Sequence, residues 1–325
     1  MTDHTCRYSD EQGHTCNGQA NESGWCYWHD SSIIKDHPND KDKLTRYARS
    51  GGMCRGISLK NADLKGIDLV NHHHKDGFDF SHADFYRADL SCAHLFQINL
   101  EHASLMKANL SEANLHNAKL IDCNLLGLKW FNTKIKNIHL GKELIQEKQA
   151  RKAKDDFDLV REIDLWEQSE EIYRDLRKHA EREGIFKLSG KFIQKELTMR
   201  RYQMKKPSMA RLMSKVVDMF CGYGEEPIRV VNFSIILILI CALLYFFTGI
   251  SFEGKMYHFD SQLSFAENSS HFFTCIYYSV VTFTTLGYGD ITPVGISRFI
   301  AATEAFSGSF TIALFVVVFV KKMTR

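Results

Sequence analysis

The sequence predicts a multidomain chain: a square β-coil and an α-helical hairpin, then an all-α membrane domain with two spans around a re-entrant helix. Three observations carry this. Small and large apolar residues recur every five positions from about residue 52 to 141. Residues 1–228 are polar and charged, whereas 229–325 are largely apolar. Between two long apolar stretches lies a short one that ends in Thr284, Thr285, Leu286, Gly287, Tyr288, Gly289 and Asp290.

With 325 residues the chain has room for several modules. Four segments are delimited: 1–40, 41–141, 142–206 and 207–325. A net charge of +2 gives no general attraction to nucleic acid, and no nucleic-acid partner is expected. Met1 to Asp30 is polar and lacks an apolar core, so no cleavable signal peptide is expected. The nine cysteines are then expected in a reducing compartment, free or metal-bound rather than paired.

Segment 1–40 carries Cys6, Cys16, Cys26 and His29, three thiols at even spacing beside an imidazole. Cys3His is a recognised closed set for structural zinc, with no position left open for catalysis. So short a segment buries little core unaided, and a metal would stabilise it. Gly13, Gly18 and Gly24 let the loops fold back, and His4, His14 and His37 are possible substitute ligands. The alternative is a tail with incidental cysteines.

Segment 41–141 repeats a small residue two before a large one: Ala83 with Phe85, Ala88 with Leu90, Ala103 with Leu105, Ala108 with Leu110, Ala113 with Leu115. Neither the helical nor the strand period produces this. A coil whose sides are five residues long does, with the large residue pointing inward. Leu59, Leu64 and Leu69 sit one residue out of phase with Phe80 and those after it, so a bulged loop is expected over Asn71 to Gly77. His72, His73 and His74 in that loop could bind metal, but a solvated loop is favoured. Cys123 takes a small inward position as a buried thiol. Trp130, Ile135 and Leu140 are expected to cap the open end. This pattern resembles the pentapeptide repeat family, which implies a right-handed quadrilateral β-helix of four units per coil. Sixteen central positions then give four coils, a column roughly 20 Å tall. Ten Lys/Arg against nine Asp/Glu in 52–140 argue against the acidic DNA mimicry of some members.

Segment 142–206 is strongly charged and reads as two helices around a turn, interrupted at Gly184 and Gly190. Leu165, Trp166, Ser169, Tyr173, Leu176 and Ala180 share one face of the first. Ile193, Leu197 and Met204 point inward from the second, with Arg200 and Arg201 outward. The hairpin weakly resembles a single tetratricopeptide-like unit. It cannot bury its face alone, so it should pack on the coil, on a neighbouring subunit, or on both. Ser208 to Phe220 fits an amphipathic helix at the membrane surface. Its place just before a span favours that over an ordinary packed helix.

Val230 to Ile250 and about Gly295 to Val320 are each long enough for one bilayer crossing. Arg200, Arg201, Lys205, Lys206, Arg211 and Lys215 precede the first, and Lys321, Lys322 and Arg325 follow the second, so both termini are expected in the cytoplasm. His271 to Thr284 is too short to cross. As a helix it would aim its partial negative charge at the membrane centre, where it favours a cation. Irregular backbone beyond it is tolerable only inside protein or beside water.

Two spans, a re-entrant helix and residues Thr285 to Asp290 resemble the pore domain of two-transmembrane potassium channels, over about Ile228 to Arg325. The resemblance implies a homotetramer in which Thr285, Leu286, Gly287, Tyr288 and Gly289 form the selectivity filter. Their backbone carbonyls would bind potassium ions. It implies filter support from Thr284 and Asp290, with Tyr278 donating a hydrogen bond to Asp290. It implies a hinge at Gly308, although a glycine there can instead permit close packing. Val281 stands where some members have an acid behind the filter. Glu304 is an acid inside an apolar span, expected in a structural or gating contact rather than exposed near the outer mouth. No voltage sensor is found, and no regulatory domain is expected after the second span. Control would come from the N-terminal segments, through a cytoplasmic ligand or partner that the sequence does not name.

The reading is a potassium-selective channel in the inner membrane of a prokaryotic cell, with a structural zinc module and a regulatory or assembly domain. A non-selective cation channel of the same architecture and a membrane-anchored interaction scaffold are the alternatives. No nucleophile–base set or phosphate loop is present, so no catalytic residue is assigned and no enzyme is expected.

Overall fold

The computed structural model describes residues 5–10, 13–72 and 74–324. His4, His73 and Arg325 lie outside the described residues. The chain forms two compact units, Met1–Pro207 and Ser208–Arg325.

In the first unit, residues 5–10 and 13–39 form short antiparallel bridges, Thr5 with Gln19, Ser9 with Thr15 and Ala20 with Cys26. Helix α1 follows (Asp40–Arg49). The repeat then winds as a coil of parallel bridges, and Asp89–Asn109, Asn109–Lys129 and Asn99–Lys119 set the pitch at 20 residues. Four five-residue sides therefore make one coil. Each side turns the same way: Ala93 N donates to Leu90 O at 3.1 Å, with Cys92 at φ +58° between them. A turn of that kind needs a left-handed residue at its third position, and Gly56, Gly66 and Gly127 fill it where the sequence supplies glycine. Large residues such as Leu90, Leu110 and Leu115 and small ones such as Ala88 and Ala113 are all buried inside the coil. The early bridges Ser58–Asp84, Asp63–Asp89 and Asp68–His94 span 26 residues instead of 20. Six extra residues are one side plus one, which is the phase slip, and the coil is left near Asn71 and resumed by Phe80.

Between the coil and Pro207 there are three helices, not the expected two: α2 (Ile145–Asp155), α3 (Leu159–Arg182) and α4 (Phe186–Gln203). Helix α2 escapes hydrophobic periodicity because it buries Gln146, Glu147, Ala150 and Ala153, polar or small residues. Helix α3 begins at an Asp158 cap that accepts from Arg161 N at 3.0 Å, and it buries all six residues of the expected face. Helix α4 differs from expectation. Gly190 lies inside it, and its buried face is Phe192, Glu196 and Met199 rather than Ile193, Leu197 and Met204. Glu196 faces inward because Arg177 pairs with it at 2.7 Å, and Arg201 is likewise buried. Charges satisfied by partners break the rule that polar residues mark the outer face.

Helices α2 and α3 cover the far end of the coil. His179 bonds Thr133 O at 2.6 Å and stacks on Trp130, and Gln146 donates to Asn124 at 2.9 Å. The hairpin face is buried mainly among the helices themselves, Tyr173 and Trp166 meeting Phe192 and Tyr202 of α4, while His179 and Gln146 tie the group to the coil. One continuous core runs from Cys6 through the coil to Met199.

The second unit holds α5 (Met209–Cys221), α6 (Pro227–Thr248), α7 (Phe265–Phe283) and α8 (Ser297–Met323). Helices α6 and α8 have 22 and 27 residues, enough for one crossing each. Helix α7 starts six residues before the expected helix start at His271. Ser264 and Glu267 form a capping box there, Ser264 N donating to the Glu267 carboxylate at 2.9 Å. A small antiparallel sheet, β1 (Ile250–Phe252), β2 (Lys255–Tyr257) and β3 (Ile291–Pro293), ties the end of α6 to the segment after Asp290. At the other end, Lys321 pairs with buried Glu225 at 2.7 Å. The apolar face of α5, including Leu212, Met213 and Val216, is exposed.

Candidate functional site

The segment after α7 owes its shape to that helix's last turn. Thr284 ends it, with Thr284 N bonding Val280 O at 3.0 Å and Thr284 Oγ1 bonding the same carbonyl at 2.7 Å. Thr285 N then donates to Thr282 O and Leu286 N to Val281 O, both at 3.0 Å. Thr285, Gly287 and Gly289 have φ of +58°, +57° and +79°. Every second residue is therefore left-handed, an alternation that turns successive carbonyls toward one side. Among the described residues neither glycine is crowded, since none comes within 4 Å of an added Cβ at Gly287 or Gly289. Conformation, not space, requires glycine at both. Thr285 holds the same conformation with a β-branched side chain, at a cost of about 1–3 kcal/mol of the kind found at functional sites. Among the described residues, nothing donates to the carbonyls of Thr285, Leu286, Gly287 or Tyr288. Leu286 and Tyr288 side chains are exposed.

Asp290 anchors the far end. Its carboxylate accepts from Ile291 N at 3.1 Å and from Tyr277 at 3.0 Å. The expected Tyr278 bond is not made. One residue along a helix is a turn of about 100°. That turn carries Tyr278 into the interior, edge-on to Tyr245 at 4.8 Å, while Tyr277 stays on the side of Asp290. The resemblance puts the donor at Tyr278, one residue off, because the rotation of α7 decides which of two adjacent tyrosines reaches Asp290. Tyr277→Phe is expected to speed hydrogen–deuterium exchange over residues 285–292 about fivefold, the loss of a hydrogen bond of ~1 kcal/mol. Tyr278→Phe should leave that exchange unchanged, and equal effects of the two would contradict the assignment.

Helix α8 passes behind this segment. Gly308 lies against the end of α7, where an added Cβ would stand 2.0 Å from Phe283 O. Helix α8 runs unbroken through it, so in this structure Gly308 serves close packing rather than a bend. Glu304 is 2% exposed rather than at the outer mouth, and Tyr245 donates to it at 2.6 Å. Ser279 bonds its other oxygen. Tyr245 and Ser279 carried no signal in the sequence beyond a polar atom in an apolar stretch.

In the first unit, the ligand atoms of Cys6, Cys16, Cys26 and His29 all lie within 4.8 Å of one another, and all four residues are buried. Cys16 and Cys26 sulfurs are 3.8 Å apart, and His29 Nδ1 lies 3.1 Å from Cys26 Sγ and 3.8 Å from Cys6 Sγ. Four ligands at ~2.3 Å from a central zinc would stand ~3.8 Å apart, so the set fits. His29 Nε2 meets Arg55 O at 2.8 Å, which leaves Nδ1 free to bind a metal. Burial pushes the Cys26 thiol up to about 12 and His29 below its ordinary value. Gly18 packs against the cluster, with an added Cβ 3.2 Å from Cys16 Sγ. His14 instead pairs with Asp10, and His37 Nδ1 accepts from Asn39 N.

Residues 233–325 match the ion channel family, and residues 88–127 match pentapeptide repeats in eight copies. The chain thus joins a two-transmembrane channel domain to a pentapeptide repeat domain. Similar solved structures include the pentapeptide repeat protein Rfr23 from the cyanobacterium Cyanothece 51142, 30% identical over 28% of this chain and 60% of its own, TM-score 0.17. HetL from Nostoc sp. strain PCC 7120, described as involved in heterocyst differentiation regulation, is 31% identical over 27% of this chain and 40% of its own, TM-score 0.15. The pentapeptide repeat protein alr5209 from Nostoc PCC 7120 is 22% identical over 33% of this chain and 88% of its own, TM-score 0.17. The chain therefore spans 60% or less of the first two. No curated protein matches it. The channel domain and two long apolar helices make this a membrane protein, and neither matched family is an enzymatic kind.

Proposed function

We propose that this chain is one subunit of a homotetrameric, potassium-selective channel. The observation that carries the reading is the backbone of residues 285–289. Left-handed residues alternate there, and the carbonyls of 285–288 accept no hydrogen bond from the described chain. At membrane depth such carbonyls need partners, and dehydrated cations ringed by four copies supply them. Thr285, Leu286, Gly287, Tyr288 and Gly289 form the filter in this reading. Thr284, Asp290 and Tyr277 support it, and α7 is the re-entrant pore helix. The exposed apolar sides of α6 and α8 face lipid and neighbouring copies, and α5 lies at the membrane surface.

Both termini are cytoplasmic in this reading, in a prokaryotic inner membrane. The repeat domain, a right-handed quadrilateral β-helix, serves regulation or assembly. Segments 1–40, 41–141 and 142–206 are its cap, column and end cover. Cys6, Cys16, Cys26 and His29 hold a structural zinc.

The test is the reversal potential of purified protein in a bilayer with potassium on one side and sodium on the other. Reversal near the potassium limit, lost in Gly287→Asp, is the expected result. Robust current reversing near zero would favour a non-selective cation channel.

A further inference from the structure

Helix α8 grips α7 at two points one turn apart. Glu304 bonds Ser279, and Gly308 lies against Phe283, so residues four apart on one helix meet residues four apart on the other. Thr284 and the left-handed Thr285 follow at once. Whatever holds the last turn of α7 therefore holds the start of the filter.

Glu304 stands out because an acid in an apolar span is costly, and a well-packed apolar residue would be cheaper. It is not paid for by a cation, since among the described residues no Lys or Arg pairs with it. Its partners are neutral. Tyr245 from α6 donates to one oxygen, Ser279 from α7 meets the other, and the Cys241 thiol faces the same carboxyl. Ser279 Oγ also lies 2.9 Å from Ile238 O. A hydroxyl has one proton and cannot serve both acceptors. The set closes when Glu304 itself carries a proton and gives it to Ser279, whose own proton then goes to Ile238 O. Three helices meet at this one carboxyl. Val281, the position on α7 that could have held an acid, is instead a buried apolar contact.

We propose that Glu304 is a positioning residue for the filter: its carboxyl, supplied by the inner helix, locks the pore helix to both spans and so holds Thr285 in its strained conformation. A conformation of that kind persists only where its surroundings over-determine it. This inference rests on the channel reading above.

The test compares the wild type with Glu304→Gln, Glu304→Val, Ser279→Ala and the double variant Ser279→Ala with Glu304→Val, in bilayers with potassium opposite sodium. Tetramer yield in detergent is recorded for each. Glutamine keeps the shape and a neutral hydrogen-bonding end, so Glu304→Gln should keep the wild-type potassium-to-sodium permeability ratio. Glu304→Val and Ser279→Ala should each lower that ratio and speed current decay in low potassium about tenfold, the loss of a buried hydrogen bond with its partner left unpaired. The double variant should be no worse than the worse single one, because both remove the same link. If Glu304→Val does not assemble, Ser279→Ala decides alone. Wild-type selectivity and decay in Ser279→Ala would overturn the proposal, as would Glu304→Gln failing as badly as Glu304→Val. A silent or unselective wild type would sink the channel reading, and this inference with it.

Discussion

Gly308→Ala is expected to prevent stable assembly of the channel unit. The added Cβ would stand 2.0 Å from Phe283 O and 3.0 Å from Phe283 Cα. These are backbone atoms, so no side-chain rotation relieves the clash, and α7 and α8 must separate. Overpacking of a close contact costs about 1–3 kcal/mol, and one against main chain belongs at or above the upper end. The cost recurs in each copy of an oligomer. Moving α8 away also pulls Glu304 from Ser279, so the damage reaches the filter. Ser307→Ala, beside it and only half-buried, is the control and should behave as wild type. The measurement is the thermal midpoint and the oligomer fraction of purified protein. A glycine needed only for bending would leave both unchanged in Gly308→Ala and alter opening alone. That result would return Gly308 to the role of hinge.

The second large effect concerns the cysteine–histidine cluster. Wild-type protein is expected to carry one zinc ion per chain, and Cys26→Ser none. Cys54→Ser should retain it, because Cys54 is buried outside the cluster and bonds Gly52 O. Metal in small zinc modules is worth on the order of 10 kcal/mol of folding free energy. The cap and the helix α1 that follows it have a small core: besides the ligands, Trp28, Leu44 and Ala48 are buried, with Tyr8, Tyr27 and Tyr47 packed partly buried against them. Its links to the coil include His29 to Arg55 O, Trp28 O, which accepts from Ser58 N at 2.8 Å, and an Asp10–Arg55 ion pair at 3.0 Å. Chelation should therefore open residues 5–50 to proteolysis while residues 80–140 stay protected. Equal zinc in wild type and Cys26→Ser would end the assignment.

Much of this was legible because the physics was local. A five-residue period, a phase slip, a Cys3His set and a run of apolar residues each announce themselves over a few positions. The missed helix α2, the inverted face of α4 and the unforeseen partners of Glu304 share one cause. Helix α2 is held by Glu147, which accepts from Lys195 at 3.1 Å and from Leu144 N at 3.0 Å. The inner face of α4 is held by Glu196, and the inner helix by Glu304. In each case a buried acid satisfied by distant partners overrides the apolar pattern, and those partners lie far away in the chain: Lys195 is 48 residues from Glu147, and Tyr245 is 59 from Glu304.

By itself the sequence determined the order of the modules, the winding of the coil and the place of the left-handed backbone at 285–289. Glycine, small-residue spacing and chain length act on their own neighbourhood. Only the tertiary structure decided which of two adjacent tyrosines meets Asp290. It also decided that Gly308 is filled by the end of α7, and that Glu304 closes on Ser279. Those outcomes depend on helix rotation and approach, and helices take both from the partners they pack against.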